Sequence, residues 1–190
     1  FGAWKNSMSC YAPEWFKRDT KRFPRAHTMD GMPVEEASSL SRNVLEADKK
    51  AFCKIMEYLR DNNKEQTVVM VQVENEIGMI NVPRDYSDDA TKLYNSPVPQ
   101  SLTDFLNKNK KSLHPYISER YKPIGKSQTW AEMFGNDIYA EEIFQTWTYA
   151  KYVEEIASAG RAIYDIPMYV NVALNSRSRK PGEYPSGGPL

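Results

Sequence analysis

The chain has 190 residues, 41% of them hydrophobic, which suits one globular domain with a sizeable core and excludes an intrinsically disordered class. Twenty-five basic residues balance twenty-five acidic ones, in short local runs such as Lys108–Lys111, so there is no large positive field for a nucleic acid and a neutral substrate fits better. No stretch is long and apolar enough to span a bilayer, and the first residues lack the basic-then-apolar pattern of a secretory signal.

Phe1–Lys5, FGAWK, reads as the end of a strand, with Trp4 offering a flat ring near its exit. After a polar loop, Glu14–Lys17 begins a short helix expected to pack Trp15 and Phe16 inward. Residues 17–34 are basic and carry Pro24, Gly31 and Pro33, which predicts an irregular connection. Asn43 with Glu46 has the spacing of a capping box, and Leu45, Phe52, Ile55, Met56 and Leu59 then recur at helical spacing. Asp61-Asn62-Asn63 signals the end of that helix.

The stretch Gln66–Met79, QTVVMVQVENEIGM, is the centre of the pattern. Val68, Val69, Met70, Val71 and Val73 predict a strand covered on both faces, as in a parallel sheet with helices packed around it; only Gln72 interrupts the run. Glu74, Asn75 and Glu76 arrive together at its carboxyl end, and Gly78 lets the backbone turn away.

Beyond Gly78 the period is lost through Tyr94, and Pro97 and Pro99 punctuate a long excursion on the carboxyl edge. Short helices are expected at Ser101–Lys111 and Leu113–Tyr121, whereas the aromatic stretch around Trp130, Met133 and Phe134 carries no clear assignment. Asn136 offers an N-cap, with Asp137 favourable to the dipole, for a long helix to about Ala162 whose apolar side includes Ile143, Trp147, Ala150, Val153 and Ile156. Met168–Leu174, MYVNVAL, is a further apolar strand ending at Asn175 and Ser176. Two or three strand–helix pairs fall short of the roughly 250 residues of a closed eight-fold barrel, so an α/β segment is expected, with no boundary between two complete domains.

The carboxyl edge of a parallel sheet is where such folds bind ligands and display catalytic groups, which makes Glu76 the first candidate for chemistry. Burying a carboxyl there favours its protonated form, as a general acid requires. Asn75 points to the other side of an ideal strand, yet a bend at the strand end would bring its amide into the same cleft, to bond a substrate hydroxyl. The competing reading has Glu76 capping a helix or pairing with a lysine or arginine. Glu74 shares the strand face of Glu76 and reads as an ion-pair member in a barrel interior; His27 and His114 read as solvated surface residues. Cys10 and Cys53 are read as two free thiols, no metal or cofactor is expected, and no serine-nucleophile, phosphate-loop or dinucleotide motif is present. Four tryptophans and twelve tyrosines suit stacking on sugar rings, and Trp4 is the candidate platform.

The residues VQVENEIG, Val71–Gly78, resemble the fourth-strand signature of retaining glycoside hydrolases built on a (β/α)8 TIM barrel, and QVENE resembles more narrowly the family 35 β-galactosidases. That family continues with Tyr-Gly where this chain has Ile77-Gly78. FGAWKNSMSCYAPEW resembles the third-strand region of a bacterial subgroup, and IPMYVNVAL and PGEYPSGGP its fifth strand and following loop. The resemblance implies that residues 1–190 are the central part of a single TIM-barrel catalytic domain, from about the third to the fifth strand and incomplete at both ends. It assigns Glu76 as acid/base and Asn75 as a sugar contact, and it expects the nucleophilic glutamate beyond Leu190. Where the family carries Cys-Ala-Glu-Trp to bind galactose, this chain reads Asn6-Ser7-Met8-Ser9, which leaves Asn6 as the residue to bond a sugar hydroxyl.

The expected function is therefore a β-galactosidase-like retaining glycosidase acting on β-linked carbohydrate, secreted or periplasmic by resemblance, with no nucleic-acid partner and no membrane span. The segment alone is expected to be inactive. The alternative is a non-catalytic carbohydrate-binding protein that lacks the second carboxylate.

Overall fold

The computed structural model describes residues 12–78, 82–125, 127–171, 180 and 182. Helix α1, Glu14–Arg18, opens this part of the chain and buries Phe16, whose ring stacks on Phe23 at 4.4 Å. Trp15 does not pack inward as expected. It is 59% exposed and touches Phe16 and Phe23 only by edge contacts, because a five-residue helix has one narrow buried stripe and Phe16 takes it.

Residues expected to be irregular instead form an antiparallel hairpin, β1 at Arg25–His27 and β2 at Pro33–Ala37. Gly31 makes the reversal at φ +82°, with its amide donating to the Thr28 carbonyl at 3.0 Å. Pro33 stands first in its strand, where the missing N–H costs no ladder bond.

Helix α2, Arg42–Asn62, carries the expected apolar period, but Ser41 is its cap: Ser41 Oγ accepts from the Val44 amide at 3.4 Å. Asn43, expected to cap, lies inside the helix and donates from Nδ2 to the Arg22 carbonyl. Strand β3 is shorter than its apolar run, covering Val71–Asn75, while Val69 and Met70 ahead of it are 65% and 53% exposed.

Four short helices follow: α3 at Asp88–Tyr94, α4 at Gln100–Lys108, α5 at Pro115–Ser118 and α6 at Trp130–Phe134, with a 3-10 turn at Lys110–Ser112. The unassigned aromatic stretch is α6, started by a complete capping box in which Thr129 and Glu132 bond each other's backbone amides. Helix α7, Ile138–Ile163, is capped by Asp137 and not by Asn136; Asp137 Oδ1 accepts from the Tyr139 and Ala140 amides. Ala150, expected on its apolar side, is exposed. Strand β4, Met168–Asn171, closes the described fold and pairs in parallel with β3.

The expected TIM-barrel segment is not what forms. The described residues hold seven α-helices and only four strands, divided between two two-stranded sheets, one of them antiparallel. A barrel segment needs three parallel strands side by side, each followed by a helix that covers them. Here β3 and β4 bond only each other among the described residues, and the chain between them folds mostly into helices. Apolar strand periodicity marks a segment for burial without specifying how many neighbours its edges find. The expected first strand, Phe1–Lys5, and the end of Met168–Leu174 lie outside the described residues.

Two apolar clusters result. One gathers Phe23, Val44, Phe52, Met56, Val73 and Ile156 between the hairpin, α2, β3 and α7; the other gathers Tyr94, Leu106, Trp130, Met133, Phe134 and Phe144 among the short helices and the first half of α7. Helix α7 belongs to both, which is why so many of its residues from Ala140 to Tyr149 are buried whichever way they point.

Candidate functional site

The carboxyl ends of β3 and β4 lie side by side, and each strand interrupts its apolar run with one amide: Gln72 in β3 and Asn171 in β4. The register passes from Gln72 opposite Tyr169 to Asn75 opposite Asn171, so β3 spends one more residue than β4 over that step. This is a bulge, a feature that re-aims side chains at the end of a ladder. Gln72 Nε2 fills it, lying 2.9 Å from the Glu74 carbonyl and 3.0 Å from both Asn75 Oδ1 and Asn171 Oδ1.

Asn171 completes the cluster. Its Nδ2 donates to Asn75 Oδ1 at 3.2 Å, and its Oδ1 accepts the backbone amide of Glu76 at 3.0 Å. Asn75 Oδ1 is thereby an acceptor for two amides, which fixes the flip of its side chain. Its Nδ2 donates to none of the described residues.

Glu76 follows immediately with φ +52°, in the left-handed region that non-glycine residues rarely enter. It therefore lies beyond the strand, and the alternation that would put it on the face of Glu74 is not kept. Glu76 is half-buried, followed by the buried Ile77 and Gly78.

The deeply buried carboxyl is Glu74, 7% exposed. Burial pushes it up to about 8, and Asp48 pushes in the same direction. Its surroundings are helical, not a barrel interior: Asp48 comes from α2, and Tyr152 from α7 donates its hydroxyl to Asp48 Oδ2 at 2.9 Å. Burial holds the Tyr152 phenol well above its ordinary range, with Asp48 and Glu74 adding to the effect. Sequence reasoning missed Asp48 and Tyr152, because Asp48 stands among the charged residues Glu46, Lys49 and Lys50 and Tyr152 beside Lys151 and Glu154, where nothing local singles them out. The signal for Asn171 was plainer, since it stands alone in MYVNVAL as Gln72 does in VVMVQV.

A small cleft of about 20 Å3 opens beside Ile77 and Gly78 and is lined also by Glu36, Ser39, Tyr149 and Tyr152. Burial pushes the Glu36 carboxyl upward, against a hydrogen bond from its own backbone amide. Farther along, Asp85 is almost fully buried and accepts from the His27 amide at 3.0 Å, the Ser87 amide at 2.8 Å and the Ser38 hydroxyl at 2.6 Å. Its neighbour Arg84 bonds Glu141 at 3.2 Å and lies 4.0 Å from the centre of the Tyr86 ring.

His27 is not the solvated residue expected; it is half-buried, and its Nδ1 is enclosed without a hydrogen-bond partner among the described residues. His114 is exposed, its Nδ1 accepting the Tyr116 amide at 3.3 Å. Cys53 is a half-buried free thiol. Trp4, Asn6 and Cys10 lie outside the described residues. Among the described residues no group of three or more His, Cys, Asp or Glu side chains is arranged to hold a metal, and no helix is long and apolar enough to cross a membrane.

No family model matches this chain, and no curated protein matches it in sequence.

Proposed function

We propose that this chain supplies the acid/base half of a retaining glycoside hydrolase site acting on β-linked, β-galactoside-like glycans, with Glu76 as proton donor and Asn75 as a sugar contact. The observation that carries the reading is the position of Glu76 at the carboxyl end of a parallel strand pair, half-buried and next to an asparagine whose Nδ2 donates to none of the described residues. The resemblance of VQVENEIG to the acid/base strand of that class supports it from the sequence side.

In this mechanism a second carboxylate attacks the anomeric carbon while Glu76 gives its proton to the departing glycosidic oxygen. A glycosyl-enzyme ester and a free alcohol result. Glu76, now ionised, takes a proton from water, which displaces the ester and releases the sugar. The two carboxyl groups of such a pair stand roughly 5 Å apart. No residue of this chain is assigned the nucleophile. Trp4 and Asn6 remain proposed as sugar platform and hydroxyl partner.

The test is Glu76→Gln in the full-length protein, assayed on aryl glycosides with leaving groups of graded acidity. The expected result is a fall in kcat/KM of about 10²- to 10⁴-fold for poor leaving groups and a much smaller one for nitrophenolates, which depart without a proton. Added azide, which needs no general base, should release a glycosyl azide from the variant. Unchanged hydrolysis across the series removes the assignment.

A further inference from the structure

The Asn171 side chain touches both the backbone of Glu76 and the side chain of Asn75, although it lies 95 residues beyond the first. The strain at Glu76 needs such a partner. A non-glycine residue at φ +52° is strained and persists only where its surroundings over-determine it. Glu76 lies one position past the last residue of β3, just beyond the pair Asn75–Asn171 with which the ladder resumes after the bulge. The bond from the Glu76 amide to Asn171 Oδ1 supplies the constraint from a neighbouring strand.

The same amide sets the second residue. By donating from Nδ2 to Asn75 Oδ1, Asn171 leaves only one orientation for the Asn75 amide, with its Nδ2 turned away from the cluster. Gln72 donates to both asparagine oxygens and locks the pair from the strand side.

We infer that Asn171 is a positioning residue for the acid/base site: it holds the backbone of Glu76 in its left-handed conformation and fixes the Asn75 amide as a donor toward the substrate. The inference rests on the function proposed above, and one of its readouts is independent of catalysis.

The variants are Asn171→Ala, which deletes the bonds to Glu76 and Asn75 and the one from Gln72, and Asn171→Asp, which keeps the acceptor for the Glu76 and Gln72 amides and loses the donor to Asn75. In Asn171→Ala, hydrogen exchange of the Glu76 amide should accelerate at least tenfold over the parent while the α2 and α7 amides keep their protection. Hydrolysis of poor-leaving-group glycosides should fall at least tenfold, and that of nitrophenyl glycosides less than threefold. Asn171→Asp should restore Glu76 amide protection to within threefold of the parent. Its KM should be raised, because Asn75 keeps only the bond from Gln72.

An unchanged Glu76 amide in Asn171→Ala overturns the inference whatever the activity shows. If Glu76→Gln leaves hydrolysis untouched while the Glu76 amide responds to Asn171→Ala, the proposed hydrolase fails and the clamp stands. If Glu76→Gln cripples hydrolysis and Asn171→Ala affects every leaving group alike, the hydrolase stands and selective positioning of the proton donor fails.

Discussion

At the scale of single residues, two glutamates two positions apart meet different fates. Glu74 is sealed between β3 and the helices, so its carboxyl, pushed up to about 8, keeps a proton in the folded protein that it gives up near 4.5 when the chain unfolds. The folded state then binds more protons than the unfolded one between those two values, and stability must fall as pH rises through that window. Denaturant unfolding should show a decline from about pH 5 to about pH 8, of at most about 1.4 kcal/mol per pH unit from this group, with Glu36 adding in the same direction. Glu74→Gln, which keeps a neutral hydrogen-bonding side chain of the same size, should remove most of that slope; a slope identical to the parent's would show that Glu74 is ionised in the fold. Glu76 and Asn75 were legible in the sequence because polar residues at the end of an apolar run are conspicuous. Asp48 and Tyr152 were not, and Asn171 was conspicuous without its role being so, because each acquires its role only from a residue at least 26 positions away.

At the scale of elements, α2 and α7 pack so closely that one glycine decides the contact. A Cβ at Gly160 would lie 2.3 Å from Phe52 Cε1 and 3.1 Å from Met56 Cγ, both on buried α2 side chains. Gly160→Ala should gain about 1 kcal/mol of helix propensity and lose about 1–3 kcal/mol to overpacking, for a net loss that thermal unfolding would register. A stabilised variant would mean that Phe52 yields freely. Helix α6 depends instead on its start, and Thr129→Ala should cost about 1 kcal/mol by deleting the capping box. Helix α2 and the span of α7 were readable from periodicity, but their caps were each displaced by one or two residues. Several polar residues precede each helix, and which of them bonds the first free amides depends on the path of the entering chain. The β1–β2 hairpin was hidden by Pro24 and Pro33, which read as breakers until their places at a strand border were known.

At the scale of the whole molecule, the two apolar clusters are joined by α7 and by a polar junction at Asp85. That carboxylate accepts from Ser38, His27 and Ser87, and its own amide donates to Gln145 of α7 at 2.7 Å. Asp85→Ala should strand several buried donors at about 1–3 kcal/mol each, lowering stability by about 3 kcal/mol or more. Because α7 runs through both clusters, tryptophan fluorescence and far-UV dichroism should still lose their signals in one coincident transition. Two separated transitions would show that the clusters are independent and that α7 does not couple them.

Local chemistry is short-ranged, and it determined what could be read without coordinates: an amphipathic α2, a long α7, an apolar strand ending in Glu74-Asn75-Glu76, and a balanced charge. The sheet order was decided only by tertiary structure, since two strands of the same apolar character can sit in a barrel or stand as a pair, and the difference lies in edge hydrogen bonds that no single segment encodes. The same holds for the site: the sequence offers Glu76 as a side chain at a strand end, but its left-handed backbone and the asparagine that holds it exist only once β3 and β4 lie side by side.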